Sequence, residues 1–594
     1  MYSKIIQLSL RNKFAVSLLV LAIIGYGTFA LSKIAVGVVP DITNNQIQVI
    51  TTSRSLSTED VEQFITYPVE LEMANLPGVK KIRSKSKFGL SVVTVIFEDD
   101  MGTYLPRQLT AEKIRSAAKR IPSEFGTPEM GPITTGLGEI FHYTVEAKEG
   151  YKDQYSLTEL RSIQDWLIKR QLSGIKGVVE INTWGGFLKQ YEVAFSTDEL
   201  QAVDLSVQDV FSALKQNNSV AGGSYIEKNE QAYFIRGDGL VSSLDDIRKT
   251  VVANRNGVPI LVEDIADVGF GHANRFGAVT ANGEGEKVLG QIMMLKGANS
   301  DNVIQRVNKR LKKVKKSLPE GVRINGFLDR SKLIDKTTNT IQENLFLGFL
   351  VVSFIVILLL GDWRSGLIIS SMIPLSFLFA ISMMYIFGIP ANLLSLGALD
   401  FGIIIDGGVI IVEFVALRVF QKFHQLKGTT KKERRKQIDS ITFDGASKMM
   451  NSAIFGQLII FIVFIPILSL GGIEGKMFIP MALTFCFALL GAMILCFTWI
   501  PVAASLFLKP KNIKPNNIGS RIINLITKSY DPVITWALKR RKVVIGLSVL
   551  FLGFGIYIYS KSGGEFVPTL DEGSFVIQPV LKTGKSLEKT IERT

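Results

Sequence analysis

The chain has 594 residues, 47% of them hydrophobic and only 20% charged, with a formal net charge of +14 and a positive mean hydropathy. This balance excludes an ordinary soluble domain and fits a protein that crosses a membrane several times. The Lys and Arg excess lies beside apolar runs, as in cytoplasmic loops, which argues against a nucleic-acid partner.

The first apolar run, residues 14–31, is long enough to cross a hydrocarbon core of about 30 Å. Lys4, Arg11 and Lys13 precede it and orient the N-terminus inside. Ala30-Leu31-Ser32 resembles a signal-peptide cleavage site, but the run exceeds a signal core and recurs later, so it is read as a retained anchor. An outside segment then alternates strand and helix signals. Strands are expected at 46–52 and 90–98, and helices at 57–76, opened by a Ser-x-x-Asp cap, and at 105–120. The order repeats with a strand at 139–147, a helix at 156–172 with Ser156 and Glu159 in capping-box positions, and a strand at 178–183. The junction LPGVKKI (76–82) returns as LSGIKGV (172–178). Strands at 288–295 and 323–327 flank a helix at 301–318 and complete the second unit. We read two ferredoxin-like βαβ units, the second interrupted by a smaller α+β module at about 187–272.

Further apolar runs follow at 345–360, 367–387, 392–417, 453–470, 481–504 and 543–559, for about seven spans in all. Two basic loops, 418–436 and 509–542, separate the fourth span from the fifth and the sixth from the seventh. Both are read as cytoplasmic, the second as an amphipathic surface helix around 522–536. Cys486 and Cys496 share one span, and His142, His272 and His424 are dispersed, which leaves no disulfide framework, Cys-ligated zinc site or His-rich metal site.

GYGTFALSKIAVGVVPDITNNQIQV (25–49) aligns with GFGIYIYSKSGGEFVPTLDEGSFVI (553–577) at one constant offset. Six spans separate the copies, so they share orientation, as in a parallel repeat about the membrane normal. The domain reading is therefore an N-terminus and first span (1–33), an outside domain (34–336), spans two to six (337–507), a cytoplasmic connector (508–542), a seventh span (543–560) and the start of a second outside domain (561–594). A complete protein of this design carries twelve spans.

The stretch LDFGIIIDGGVIIVEF (399–414) puts Asp400, Asp406 and Glu413 in an otherwise apolar span. Seven residues at ~100° each return Glu413 to nearly the face of Asp406, about 10 Å along the axis. An ionised carboxylate at that depth costs several kcal/mol or more unless neutralised or hydrated. Two readings stand: structural ion pairs that hold helices together, or a proton relay. The spans contain no well-buried Lys or Arg as a fixed partner, which favours the relay. One proton crossing ~150–200 mV yields roughly 3.5–4.6 kcal/mol, enough to drive a conformational switch. Gly402, Gly407 and Gly408 leave room for a neighbouring helix.

DFGIIIDGGVIIVEF, VVPDIT, FVPTLDEG, GLGEI (136–140) and NGVPILVEDIADVGFGHANRFG (256–277) together resemble the heavy-metal efflux branch of the resistance-nodulation-division (RND) superfamily. The resemblance covers essentially the whole chain, as the N-terminal half plus the start of the second half. It implies an α-helical transmembrane bundle with a large α+β extracytoplasmic porter domain, the inserted module being of docking type. It further implies a homotrimeric inner-membrane cation/proton antiporter with a periplasmic adaptor, an outer-membrane channel and no cofactor. Asp400, Asp406 and Glu413 match the family's relay acids, whereas Phe414 stands where Asn is expected. The relay lysine is expected in the second half. Copper(I) and silver(I) members use methionines, as soft ions prefer. Gln578, Ile404 and Ile411 occupy such positions here, so the cargo is read as divalent zinc, cobalt, nickel or cadmium. Glu139, Asp571 and Glu572 are the candidate metal ligands or entry residues. Met293 and Met294, adjacent on a strand, are read as core filling. His142 is not expected to join Glu139, because a three-residue step on a strand reverses face. The alternatives are a Cu(I)/Ag(I) pump, a multidrug or lipid exporter of the same superfamily, and a non-transporting membrane-anchored assembly protein. No P-loop spacing or nucleophile-base set points to ATP coupling or hydrolysis.

Overall fold

The computed structural model describes residues 2–593 apart from 35, 38, 39, 54, 55, 256, 398–400, 423–429, 510–517, 564–576, 578, 579 and 583. The chain forms two compact units, one of Met1–Gly138, Leu295–Asn302 and Arg330–Val576, the other of Glu139–Met294, Val303–Asp329 and Ile577–Thr594.

In the first unit, six described helices are long and apolar enough to cross a membrane: Lys13–Lys33, Ser331–Leu360, Trp363–Ile386, Lys432–Leu468, Gly472–Phe497 and Arg541–Lys561. The remaining expected span, the fourth, read at 392–417, corresponds to the helix Phe401–Gln421, whose apolar run is broken by Asp406, Glu413 and Arg418. The helix Ser331–Leu360 begins well before the apolar run that announced it, because its polar first turns continue the same helix. Gly361, at φ +66°, closes that helix through its N–H to Ile357 O. Asp362 opens the next by accepting from Ser365 N–H, so two residues suffice to turn the chain.

The bundle's ends are sorted by polar ties. At one end Lys13 Nζ lies 2.6 Å from Asp439 Oδ1, and Ser505 Oγ bonds to both. At the other, Val36–Gly37 pairs in parallel with Ala391–Asn392. Lys476 Nζ there reaches Thr43 O and Asp99 Oδ1 on the segment after the first span. Ends separated by even numbers of these long helices therefore meet.

The sheet of this unit runs Val79–Lys87, Leu90–Phe97, Asn45–Thr52, Glu129–Met130, antiparallel throughout. Ile47, Val49, Val93 and Val95 alternate inward and pack on Ile65, Val69 and Met73 of the helix capped by Ser57. Strand Val79–Lys87 was not expected from the sequence. It reads VKKIRSKSK because it is an edge strand whose cations face solvent and discourage edge pairing.

The second unit has an antiparallel sheet in the order Val322–Asp329, Glu139–Ala147, Val288–Met294, Val178–Trp184. Numbered in chain order within each unit, both sheets read fourth, first, third, second. Ser156 and Glu159 form the expected capping box. Between the second and third strands, Lys189–Phe195 pairs with Ala266–His272. These two strands close an inserted module with its own core of Leu200, Val210, Ile247, Val262, Ile265 and Val268. Met293 and Met294 are both buried, as core filling requires.

Candidate functional site

Helix Phe401–Gln421 is buried on one side by Ile404, Ile405, Ile411, Val412, Val415, Ala416 and Val419. Its other side carries Gly402, Asp406, Ile410, Glu413 and Leu417, all exposed. These positions step by three or four residues, the helical repeat. Asp406 and Glu413 therefore form a column on the exposed face of this helix. Gly407 and Gly408 lie on the packed side. A Cβ on Gly408 would stand 2.2 Å from Met372 Sδ, and one on Gly407 would stand 3.0 Å from Cys496 Sγ. The glycines thus admit neighbouring helices on the side opposite the acids. Ile404 and Ile411 are core residues of that packed side. Phe414 packs at Gly445, where a Cβ would meet its ring at 3.0 Å, and Arg418 lies over the ring at 5.0 Å. Asp400 lies outside the described residues.

A second polar constellation lies in the other unit, on strand Glu139–Ala147. Ile292 pairs with Phe141 but Met293 pairs with Glu139, so Ile140 is an extra residue in the ladder. This bulge corrects the face assignment for His142: Ile140 and Phe141 both turn inward, and the three-residue step no longer reverses. His142 Nε2 stands 3.5 Å from Glu139 Oε2. Gln291 Nε2 is 3.3 Å from the same imidazole nitrogen, and Gln291 Oε1 accepts from the Trp184 indole. Burial pushes the His142 pKa down, and the Glu139 charge only partly opposes it, so the imidazole is neutral at pH 7, with its Nε2 accepting from the Gln291 amide. Glu139 remains half-exposed beside it. Asp571, Glu572 and Gln578 lie outside the described residues. No group of three or more His, Cys, Asp or Glu placed to hold a metal ion occurs among the described residues; Glu139 and His142 give a pair of oxygen and nitrogen donors.

Residues 5–594 match the AcrB/AcrD/AcrF family. The chain belongs to this family. Among members, it is 42% identical over 597 residues to the cation efflux system protein CzcA of Alcaligenes sp., spanning 100% of this chain and 55% of that protein. It is 36% identical over 620 residues to the nickel and cobalt resistance protein CnrA of Cupriavidus metallidurans, spanning 100% and 57%. It is 33% identical over 585 residues to the cation efflux system protein CusA of Escherichia coli K12, spanning 98% and 55%. A crystal structure of a heavy metal efflux pump superposes with TM-score 0.84 at 31% identity, over 99% of this chain and 55% of that one. The expected place in the heavy-metal efflux branch of the RND superfamily thus holds, and the chain spans about half the length of the curated relatives it matches.

Within this family frame, two residues escaped sequence reasoning. His142 was set aside because a bulge leaves no mark in a single sequence. Gln457 is buried in helix Lys431–Leu468, its Nε2 3.1 Å from where a Gly407 Cβ would stand. That amide nitrogen makes no hydrogen bond of ordinary geometry among the described residues, and the buried Cys496 thiol lies beside it. An isolated Gln in FGQLII was the only available sign.

Proposed function

We propose that the full-length protein is the inner-membrane component of a tripartite system that expels heavy-metal cations in exchange for protons. The observation that carries this is the Asp406–Glu413 column on the exposed face of its helix. Acids turned toward a face that other helices can cover and uncover can change charge as the covering changes. Asp400, Asp406 and Glu413 act as the relay, with the cationic partner in the second half. The two four-stranded units serve as ferredoxin-like porter repeats within the outside domain (34–336), and the protein works as a homotrimer with a periplasmic adaptor and an outer-membrane channel.

The cargo is divalent zinc, cobalt, nickel or cadmium. Relatives named for cation efflux and for nickel and cobalt resistance support it. So do the apolar Ile404 and Ile411 where soft-metal members carry thioethers, and the Glu139–His142 pair, whose oxygen and nitrogen suit borderline ions. Glu139, Asp571 and Glu572 remain the ligand set, to which His142 is added. The test is Asp406→Asn in the full-length protein, read by a metal-resistance panel and by metal-driven proton flux in proteoliposomes. Resistance to zinc, cobalt, nickel or cadmium should vanish with expression and trimer formation intact. Undiminished resistance in the variant refutes the relay, and wild-type protection only against copper and silver refutes the divalent cargo.

A further inference from the structure

At the end of the bundle where Gly361 and Asp362 turn the chain, an open cavity of about 460 Å³ lies between helices, within the ~300–1,000 Å³ of ordinary ligand sites. Its walls are apolar, with Trp363, Leu367, Trp499 and Phe507 prominent, and its cations are Arg364 and Lys509. Trp499 is fixed by an indole N–H that donates to Ser371 Oγ at 2.9 Å. The Arg364 guanidinium lies over the Trp363 ring at 5.3 Å. No acidic side chain lines the cavity among the described residues. The adjacent Asp362 is turned into its own helix, accepting from the Ser365 N–H and hydroxyl. This is also the end tied by Lys13, Asp439 and Ser505.

We propose that this cavity binds one anionic phospholipid of the inner leaflet, an acyl chain against Leu367, Trp499 and Phe507 and the phosphate between Arg364 and Lys509. The inference rests on reading these helices as membrane spans with this end inside, and on nothing about the cargo. Three features select the occupant. An apolar wall beside a pair of cations matches an amphipathic anion, whereas a free anion gains nothing from the wall. Paired tryptophans belong at the depth where headgroups meet chains. Cations with no acidic neighbour in the cavity among the described residues each contribute about fivefold in affinity at an anionic leaflet, so the pair favours an anionic over a zwitterionic headgroup by roughly thirtyfold.

The test is native mass spectrometry of full-length protein, delipidated in detergent and titrated with phosphatidylglycerol, with phosphatidylcholine as comparison and inorganic phosphate as competitor. One phosphatidylglycerol per chain should be retained, phosphatidylcholine should be retained far less, and phosphate should displace neither. Arg364→Ala with Lys509→Ala should lower retention roughly thirtyfold. Leu367→Trp, at an exposed wall position, keeps both charges and should block the chain site equally. Circular dichroism and trimer elution establish folding, and Arg364→Gln with Lys509→Gln replaces the alanine pair if it does not fold. Equal retention by the charge variants, equal binding of phosphatidylcholine, displacement by phosphate, or no retained lipid on the wild type would each overturn the proposal. Retention is read without transport, so its failure and that of the efflux reading are separate results.

Discussion

Glu139 and His142 illustrate how one inserted residue changes chemistry. With Ile140 bulged out of the ladder, a carboxylate and an imidazole that strict alternation would hold on opposite faces stand 3.5 Å apart. Glu139→Gln or His142→Ala in the full-length protein should weaken zinc binding by about tenfold or more, measured by competition with a chelating dye, as loss of a ligand or its orienting partner does. The proton dependence has a definite sign. The folded pKa of His142 lies below its ordinary 6.5, so the unfolded chain takes up a proton first as the pH falls. The contribution to stability is complete above about 6.5 and declines below it until the lowered folded value is passed, whereas zinc affinity of the folded protein should decline only as the pH approaches that lowered value. Thermal unfolding between pH 7.5 and 5 with and without His142→Ala checks this. On the membrane side, Gly408 admits Met372, and Gly408→Val should destabilise the bundle by about 1–3 kcal/mol, read as a lower melting temperature in detergent.

Helices and strands were legible where side-chain periodicity and caps agreed. The strand at 139–147 falls where its alternation placed it, and the helix after Ser156 starts at its capping box. Ser156→Ala should cost about 1 kcal/mol, measurable by denaturant unfolding. The pairing of Glu139–Ala147 with Val322–Asp329 is reinforced by Glu146, which Arg323 engages at 3.0 Å. Burial would raise the Glu146 pKa, but hydrogen bonds from Thr144 and Arg323 and the charges of Lys287 and Arg323 hold it below the usual range. That stability is present above the ordinary carboxylate value and is lost as the pH falls through the lowered one. Arg323→Ala should make acid unfolding of the full-length protein begin at higher pH, followed by circular dichroism. Elements that leave no periodic mark in the sequence were illegible. VKKIRSKSK has no apolar alternation because an edge strand requires none, and the π turns Glu62–Thr66 and Gln164–Ile168 sit unannounced inside continuous helices.

Over the whole molecule, the internal repeat was legible to the residue. Helix Lys13–Lys33 recurs as Arg541–Lys561, each bound displaced by 528, the offset at which residues 25–49 match 553–577. The copies differ in surroundings, since Val16, Val20, Gly27 and Ala30 are buried in the first and no residue is buried in the second. The sequence by itself determined the membrane class, the repeat, the acid column and most elements, because each follows from periodic patterns along one helix or strand. Only the tertiary structure decided which face of Phe401–Gln421 is packed, that Gly408 belongs to Met372, that His142 meets Glu139, and that Arg364 and Lys509 share an apolar cavity. Those relations join positions far apart in the chain or depend on a bulge, and no local pattern encodes them.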